Sequence, residues 1–539
     1  MPIPGLVHGS RGVEVEELHG WKAAVVKIGD VIYILDEYGR TAGTRHALHK
    51  ALQRALELLT DGREWPEPIL LRGDFTVEET VSLPSWVELQ LEGRVRVPEG
   101  FDKPLFKADS ATGVYLKGSG VVEAGVLSQP LFYARLCEDV SLRGLKFKAE
   151  WSPGDPAVHP VVFEACESFE VVGCRFSGGY AAIEVKAKET EPKAYSRDFV
   201  IAFNRMHGPD VEAGYAVLIR QDSSVFTVGR NVVKGYCQAI HVRESGKYGT
   251  ITGNVCRDLH GGGIVVLGSE VAVVGNYVRN PGTGASYTLE DLNRGIIVGN
   301  VCYGGSYEGI IISKFRHGVV ANNLIVEPGW EGIRIWASNH LVVEGNVIKN
   351  PSRSGDGVYA GISFVGYEGA PEAAHNIVRD NMIVCDDPNV RPRFAVMEAV
   401  PTEQFGPLDP APYPSSNPDW NVIEGNRFIG YFAEGLVHRA GEHTVVRNNI
   451  DYATESSGTA TFSGDGSKTQ FAIPHGLVKA PNRVSVTPLT PDAAGDHYVT
   501  WDDQNIYVNY LTAPPSGLSL IHISEPTRPR LISYAVFCL

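Results

Sequence analysis

The stretch Leu341-Val-Val-Glu-Gly-Asn346-Val-Ile348 decides the fold, because its pattern recurs along most of the chain. In each copy an apolar run leads to Asn, usually through a small residue, and an apolar residue follows two positions later. The Asn slot is filled by Asn204, Asn231, Asn254, Asn276, Asn300, Asn323, Asn346, Asn381, Asn426 and Asn449. Leu145 and Cys174 hold the same slot in the two earliest copies. Most successive slots are 22 to 30 residues apart, a spacing typical of solenoids.

A second apolar run follows each Asn slot, as in Ala182-Ile-Glu-Val-Lys186, Ala239-Ile-His-Val-Arg243 and Gly332-Ile-Arg-Ile-Trp336. Alternate side chains of a strand point to opposite faces. The second and fourth residues of each run should therefore face the core, and the third and fifth should face outward. Each repeat is too short for a crossover helix, and helical spacing of apolar residues is absent. The pattern predicts an all-β stack of short parallel strands.

The Asn column has a physical cause in the turn between strands. A coil must turn sharply, and Asn adopts the left-handed backbone region more readily than most residues with a side chain. Strands stacked about 4.8 Å apart also bring successive carboxamides close enough to hydrogen-bond along the stack. We therefore expect the Asn side chains to lie one above another at the same turn of consecutive coils.

These repeats resemble those of the pectin-lyase-like superfamily, which includes pectate lyases, polygalacturonases, alginate epimerases and phage tailspikes. The resemblance covers roughly residues 65–452 and implies a right-handed parallel β-helix of about twelve or more coils. The segment Arg45–Thr60 has the apolar stripe of an amphipathic helix. In similar proteins such a helix closes the open end of the stack, which would otherwise expose apolar surface and unpaired strand groups.

Regions outside the repeat have patterns of their own. Residues 1–64 are expected to form a β segment, with two strands around Gly29-Asp30, and the capping helix. Residues 455–517 have the pattern of short strands with tight turns and resemble small β modules appended to β-helix proteins of phage and archaeal origin. Residues 518–539 resemble a translated sequencing adapter. We therefore expect a non-native tail there and a module that lacks one strand.

The segment Cys385–Trp420 interrupts the repeat and is rich in proline. It is expected to be a long loop, serving either as a wall of a binding site or as a tolerated surface insertion.

The cysteines include no CxxC pair and no zinc spacing. Cys137 and Cys166 align in adjacent coils at a separation that permits a disulfide. Stacked free thiols are the expected state, because small polarizable side chains pack well in such columns.

Composition limits the partners. The 48 basic and 63 acidic residues give a formal net charge of −15, which argues against nucleic acid as the main partner. Met1 to Glu14 lacks the apolar core of a secretory signal, and no apolar run is long enough for a membrane span. The resemblance implies an extracellular or virion-associated protein, monomeric or homotrimeric. No organic cofactor is expected; calcium is compatible with the family, but no cluster of Asp ligands predicts its site.

The outward positions of the second run form a continuous face on which a sugar chain could lie. Basic side chains suit the carboxylates of uronic acids, and Trp suits the apolar face of a sugar ring. The residues expected to bind substrate are Glu184, Lys186, Lys314, Arg334 and Trp336. An acidic polysaccharide is therefore the expected partner.

One chemistry open to this face is that of a lyase or C5-epimerase. It needs a base for the C5 proton and a cation beside the sugar carboxylate. The candidates for these catalytic roles are His241, Arg243 and Arg220.

The competing chemistry is hydrolysis, which needs two carboxylates flanking the glycosidic bond. The candidates are Asp222, Glu244, Glu290 and Asp291. The motifs of polygalacturonases are missing, so a non-catalytic structural or adhesion protein and a tailspike-like virion protein are kept as alternatives. In the simplest alternative, the mixed charges only keep exposed strands soluble.

Overall fold

The computed structural model describes residues 6–9, 12–15, 20–366, 373–399, 418–452, 454 and 457–524. From Glu67 to Arg447 the chain winds through about fourteen coils of short parallel strands. Successive coils add strands to three parallel sheets, named A, B and C in the order in which the chain visits them. The predicted all-β parallel β-helix is confirmed.

Sheet A precedes the Asn turn and contains Thr112–Gly118, Glu138–Arg143, Glu167–Val172, Arg197–Ala202, Ser224–Gly229, Ala272–Val274, Ile296–Val298, Arg316–Ala321, Asn339–Glu344, Ile377–Arg379, Val422–Glu424 and Val445–Arg447. Sheet B follows the Asn turn and contains Val121–Val126, Lys146–Glu150, Arg175–Gly178, Arg205–His207, Val232–Lys234, Val255–Arg257, Tyr277–Arg279, Val301–Tyr303, Leu324–Val326, Val347–Lys349, Met382–Cys385 and Arg427–Gly430.

Sheet C closes each coil and contains Val81–Ser82, Phe106–Asp109, Phe132–Arg135, Val161–Glu164, Ile183–Lys186, Tyr215–Ile219, Ile264–Ser269, Tyr287–Glu290, Ile310–Ser313, Ile333–Trp336, Ile362–Val365, Phe394–Glu398 and Gly435–His438. Three longer strands bend from one sheet into the next. Glu67–Thr76 and Val87–Arg96 join sheets A and B, and Gln238–Thr252 joins sheets C and A.

The core lies between the three sheets and consists of apolar columns in strict register. In sheet A, for example, Phe169, Phe199 and Phe226 occupy the same position of adjacent strands, with ring centroids 4.7 and 5.5 Å apart. Their rings are buried and nearly parallel, so each coil covers the apolar surface of the one before it.

The turn between sheets A and B holds the Asn column. The Nδ2 of Asn254 donates to the Oδ1 of Asn276 at 2.9 Å, and the backbone N–H of Asn254 donates to the same oxygen at 3.0 Å. The Nδ2 group also donates to the Val228 carbonyl of the preceding coil. This pattern continues coil by coil from Asn204 to Asn449. The predicted column is confirmed, but the left-handed backbone expected at Asn is wrong, because it lies one residue earlier, for example at Phe203, Arg230 and Gly253. The Asn side chains instead satisfy buried backbone groups at each turn.

The N-terminal region forms antiparallel strands and a helix. Leu6–Gly9 pairs with Gly12–Val15, Ala23–Ile28 with Val31–Asp36, and Val31–Asp36 with Thr41–Arg45. Ala23–Ile28 also pairs in parallel with Glu67–Thr76, which attaches this region to the first coil. The two strands predicted around Gly29-Asp30 are therefore confirmed.

The helix spans Leu48–Leu56 and is shorter than predicted at both ends, because Arg45 belongs to a strand and Glu57 caps the helix. Leu48, Leu52 and Ala55 are buried in the same apolar cluster as the first coils. The helix therefore closes this end of the core, as expected. None of the described residues belongs to a helix long and apolar enough to cross a membrane.

The predicted long loop over Cys385–Trp420 contains a strand, so that expectation is partly wrong. Phe394–Glu398 pairs in parallel with Ile362–Val365 before it and with Gly435–His438 after it. All five of its side chains are buried. The alternation of apolar and polar residues that predicts a strand is therefore absent from its sequence. Residues 400–417 of the segment lie outside the described residues.

The cysteines in the described part of the chain are free thiols, and most of them are buried. Cys137 and Cys166 immediately precede the paired residues Glu138 and Glu167 of adjacent strands. A hydrogen bond between the two thiols lowers the pKa of Cys137 to about 7. The expected stacked thiols are confirmed.

The C-terminal module consists of two three-stranded antiparallel sheets. One contains Ser457–Gly464, Gly517–Ser524 and Ser485–Pro488, and the other contains Gln470–Pro474, Asn505–Tyr510 and His497–Trp501. This arrangement does not test the prediction that the module lacks a strand. Gly517–Ser524, which runs into the suspected tail, is the central strand of its sheet. Residues 525–539 lie outside the described residues.

Candidate functional site

The outward face of sheet C holds the residues predicted to contact substrate. Strand register aligns Glu184, Leu218, His241 and Val265 as the third residues of adjacent strands. These side chains point away from the core but are covered: Glu184 is 7% exposed and His241 is 6% exposed. The expectation of an open outward face is therefore wrong for this column. The fifth-position column, which includes Lys186 and Trp336, is half-buried.

Four ionisable side chains gather around Glu184, and the five residues together are called the Glu184 cluster: His159, Glu164, Glu184, Lys186 and Arg220. The Nη1 of Arg220 lies 3.3 Å from Glu184 Oε1, and His159 Nδ1 lies 3.6 Å from Oε2. The Lys186 ammonium lies 3.8 Å from Glu184 and 3.6 Å from Glu164. The structure thus brings together three of the predicted residues, Glu184, Lys186 and Arg220.

Two further side chains hold Glu164 in place. The Tyr133 hydroxyl donates to its Oε2 at 2.9 Å, and Arg135 Nε lies 3.5 Å from its Oε1. Arg135 also lies 3.9 Å from Asp109. Arg135, Lys186 and Arg220 are all partly accessible to solvent, so each could also contact an anionic group at the rim of the cluster.

Aromatic rings line the edge of the Glu184 cluster. Trp151, Tyr180 and Tyr215 are half-buried and follow one another with ring centroids 5.4 and 6.3 Å apart. The ring of His159 lies 6.0 Å from Tyr180, and that of His241 lies 5.3 Å from Tyr215. Rings beside cations and carboxylates are the side-chain types that fix the orientation of a sugar.

His241 has an unusual environment. Both ring nitrogens are buried, and neither has a hydrogen-bond partner among the described residues. Burial, together with the charge of Arg243, lowers the pKa of His241 to about 3. The imidazole is therefore neutral near pH 7 and a weak base. Burial likewise lowers the pKa of His159 to about 4, despite the nearby Glu184.

Of the other predicted catalytic residues, His241 and Arg243 lie in the coil next to Arg220, whereas Asp222, Glu290 and Asp291 form ion pairs of their own. Asp222 pairs with Lys247 at 3.4 Å, and Arg243 is half-buried beside His241. The side chain of Glu244 lies outside the described residues. Lys314 Nζ lies 3.5 Å from Glu290 and 4.0 Å from Asp291. These three residues form a separate group, which begins three coils beyond that of Arg220.

A buried ion pair occupies the same face farther along the stack. Arg334, which is 1% exposed, pairs with Glu308 at 3.3 Å and lies 5.1 Å from the ring of Trp336. Glu331 occupies the position of Glu308 in the next coil and accepts a hydrogen bond from Ser363. Glu308 and Glu331 were missed by the sequence reasoning, although each follows an aromatic residue and precedes Gly one repeat apart.

No group of three or more His, Cys, Asp or Glu side chains suited to a metal ion occurs within the described ranges.

Comparison with known proteins agrees with the fold. A family model described as "Right handed beta helix region" matches residues 215–383. The tailspike protein of Escherichia coli bacteriophage HK620, in complex with a pentasaccharide, is 13% identical, with 92% of each chain covered and a TM-score of 0.51. A mutant of the same tailspike with pentasaccharide has a TM-score of 0.55 at the same identity and coverage.

The A-module of the mannuronan C-5 epimerase AlgE6 from Azotobacter vinelandii is also 13% identical. It covers 75% of this chain and 94% of its own, with a TM-score of 0.45. A search of curated proteins gave no significant sequence match. The family-model match and the likeness to the tailspikes agree on a right-handed parallel β-helix.

Proposed function

We propose that this protein binds an acidic polysaccharide along the outward face of sheet C, with the Glu184 cluster as the principal contact. The observation that supports this most strongly is the position of half-buried aromatic rings beside partly accessible cations. Lys186 and Arg220 would meet sugar carboxylates, while Tyr180 and Tyr215 would contact the apolar faces of sugar rings. The solved tailspike that shares this fold holds a pentasaccharide, which is consistent with the proposal.

The test is a binding measurement with oligogalacturonate by isothermal titration calorimetry. The double variant Lys186→Gln/Arg220→Gln removes two cations from the cluster while keeping similar side-chain lengths. Loss of two charge-assisted contacts should weaken binding by about ten-fold or more. A neutral oligosaccharide of the same length should bind the two proteins with similar affinity.

The matched control is Arg197→Gln/Arg379→Gln, which lowers the net charge equally at exposed ion pairs of sheet A. Its affinity should stay within about two-fold of the parent protein, because exposed pairs contribute little. Equal weakening in both variants would mean that net charge alone drives binding, and unchanged affinity in the cluster variant would refute the proposal.

We further propose that this face is catalytic. His241, Arg243 and Arg220 would act in a lyase or epimerase, and Asp222, Glu244, Glu290 and Asp291 would supply the carboxylates of a hydrolase. Product absorbance near 235 nm identifies elimination, whereas new reducing ends without this absorbance identify hydrolysis. The burial and weak basicity of His241 favour hydrolysis over proton abstraction.

The location and the assembly state of the protein belong to the same proposal. A polysaccharide-binding β-helix of this kind would act outside the cell or on a virion, as a monomer or a homotrimer. Sedimentation velocity of the intact protein distinguishes the two assembly states, and the binding measurements apply to either.

A further inference from the structure

The outer face of sheet B carries two columns of basic side chains, on a different side of the coil from the Glu184 cluster. Strand register aligns the first residues of successive sheet B strands with one another, and likewise the third residues. The first-position column contains Lys146, Arg175 and Arg205. The third-position column contains Lys148, His207, Lys234, Arg257 and Arg279. We call these side chains the basic columns.

Most of the basic columns line a cleft of about 590 Å³. The residues that line it come from five successive strands, Lys146–Glu150 to Val255–Arg257, and none of them is acidic. Five strands span about 19 Å at the usual spacing of parallel strands. The cleft is therefore long enough for several sugar units and has a single sign of charge.

Several exposed cations elsewhere on the β-helix show a different arrangement. Arg197, Arg294 and Arg379, for example, are exposed, and each forms an ion pair with a glutamate within about 3 Å. Within the part of the chain that the structure describes, no Lys or Arg of the basic columns forms an ion pair or a side-chain hydrogen bond. In a chain with a net charge of −15, such a concentration of unpaired cations is not explained by composition.

The strand register places like charges of the basic columns next to each other, which is unfavourable in the absence of a ligand. Arg175 lies directly opposite Arg205, and Arg257 lies directly opposite Arg279. Like charges in directly opposed positions of neighbouring strands destabilise a sheet. An anionic ligand bound along the columns would remove that repulsion.

We propose that the basic columns form a second binding site for an acidic polysaccharide, which carries carboxylates or sulfates along its length. The inference rests on the proposed function only in taking the same class of ligand, and it concerns a separate surface. One strand of sheet B would meet roughly one sugar unit, so that successive cations meet successive anionic groups. The site thereby extends recognition from one face of the coil to two.

A single-stranded nucleic acid fits the columns less well. Proteins that bind single strands combine cations with exposed aromatic rings on which bases stack. The aromatic residues lining this cleft, Phe147 and Phe176, are buried in the core and stack on each other. The charges of the cleft are therefore unaccompanied by a stacking surface.

The test uses the intact protein and the triple variant Arg175→Gln/Arg205→Gln/Arg257→Gln. The matched control is Arg197→Gln/Arg294→Gln/Arg379→Gln, which changes the net charge equally at exposed, ion-paired positions. Binding of long polygalacturonate is measured as a function of salt concentration. We expect the triple variant to bind about ten-fold more weakly at low salt, with a shallower salt dependence, and the control to stay within about two-fold.

Three results would overturn the inference. Unchanged affinity and salt dependence in the triple variant would exclude the columns from binding. Tighter binding of a single-stranded oligonucleotide than of polygalacturonate with the same charge would assign them to nucleic acid. Self-association at low salt that the triple variant abolishes, with unchanged polygalacturonate binding, would assign them to a second copy of the chain.

The double variant Lys186→Gln/Arg220→Gln, measured in the same assay, separates this inference from the proposed function. If only the sheet C variant weakens binding, the inference fails and the proposed function stands. If only the sheet B variant weakens binding, the basic columns are the binding site and the Glu184 cluster is not. Weakening in both supports two sites.

Discussion

Asn204 and Arg205 are neighbours in the chain, yet they belong to opposite kinds of column. Asn204 is buried, and its carboxamide bonds to Asn231 and to the carbonyl of Val171. Arg205 is exposed on sheet B and opposes a second arginine, Arg175. Both columns repeat once per coil. The difference teaches that the repeat fixes the inward positions, while the outward positions are free to carry charges that the fold itself does not use.

Sheet C offers a third kind of column, outward but covered. His241 points away from the core, yet solvent scarcely reaches its ring and neither nitrogen has a described partner. A buried polar group without a partner destabilises the folded state, so its presence needs a reason beyond packing. Position in the repeat therefore gives the direction of a side chain but not its exposure.

The largest expected effect comes from breaking the Asn column with Asn276→Ala. This change removes the acceptor of the Asn254 backbone N–H and the donor to the Ile251 carbonyl, both of which are buried. Each unsatisfied buried group costs about 1–3 kcal/mol, so the free energy of unfolding should fall by roughly 2–5 kcal/mol. Urea unfolding measures the total, and faster hydrogen exchange at the Asn254 amide localises it.

The control lies three residues away in the same coil. Arg279→Ala removes an exposed side chain whose only described contact is with the ring of Tyr303, at 5.7 Å. Its effect should stay within about 0.5 kcal/mol. Similar losses in the two variants would contradict the distinction between the inner and outer columns.

The sequence was sufficient for the inner columns because burial and turn geometry allow few residue types there. The slot at the turn between sheets A and B holds Asn in ten successive coils, so the spacing alone revealed the coil. The strand Phe394–Glu398 escaped because residues buried on both faces leave no alternation. Coverage of Glu184 and His241 could not be predicted, because it depends on side chains of neighbouring coils, such as His159 beside Glu184 and Tyr215 beside His241, whose directions the repeat does not fix.

The basic columns could have been found from the sequence, since they lie one and three residues after the Asn slot. Lys146 follows Leu145, Arg175 follows Cys174 and Arg205 follows Asn204. Comparing outward positions across coils would have aligned them. What the sequence could not give is the absence of ion pairs within the described residues, because pairing depends on side-chain directions rather than on register.

A smaller expected effect is the pH dependence of the free energy of unfolding that the covered His241 ring causes. Burial holds the pKa of His241 at about 3, below its ordinary value of 6.5, so the unfolded chain binds a proton that the folded protein excludes. The stability contributed by the neutral ring is complete above pH 6.5 and is lost as the pH falls toward 3, at up to about 1.4 kcal/mol per pH unit. When the pH is lowered from 7 to 4.5, the free energy of unfolding should therefore fall by about 2 kcal/mol more in the parent than in His241→Phe, as measured by urea unfolding.

The parent protein and His241→Phe are compared over the whole range from pH 4.5 to pH 7. If His241→Phe follows the parent profile between pH 4.5 and pH 7, the ring is reached by solvent or by a partner, and the column is not closed.

The smallest expected effect concerns the repulsion within the basic columns. Arg205→Gln removes a cation that directly opposes Arg175, so the free energy of unfolding should rise by a few tenths of a kcal/mol at low ionic strength. Near 1 M salt the screening length is only about 3 Å, and the gain should disappear. The control Arg197→Gln, which breaks an ion pair with Glu167, should show no gain at either salt concentration. A rise in the free energy of unfolding confined to Arg205→Gln would mean that the chain retains these cations against its own stability, as expected of residues kept for a ligand. No rise would mean that the two guanidinium groups point away from each other, and the argument from repulsion would fail.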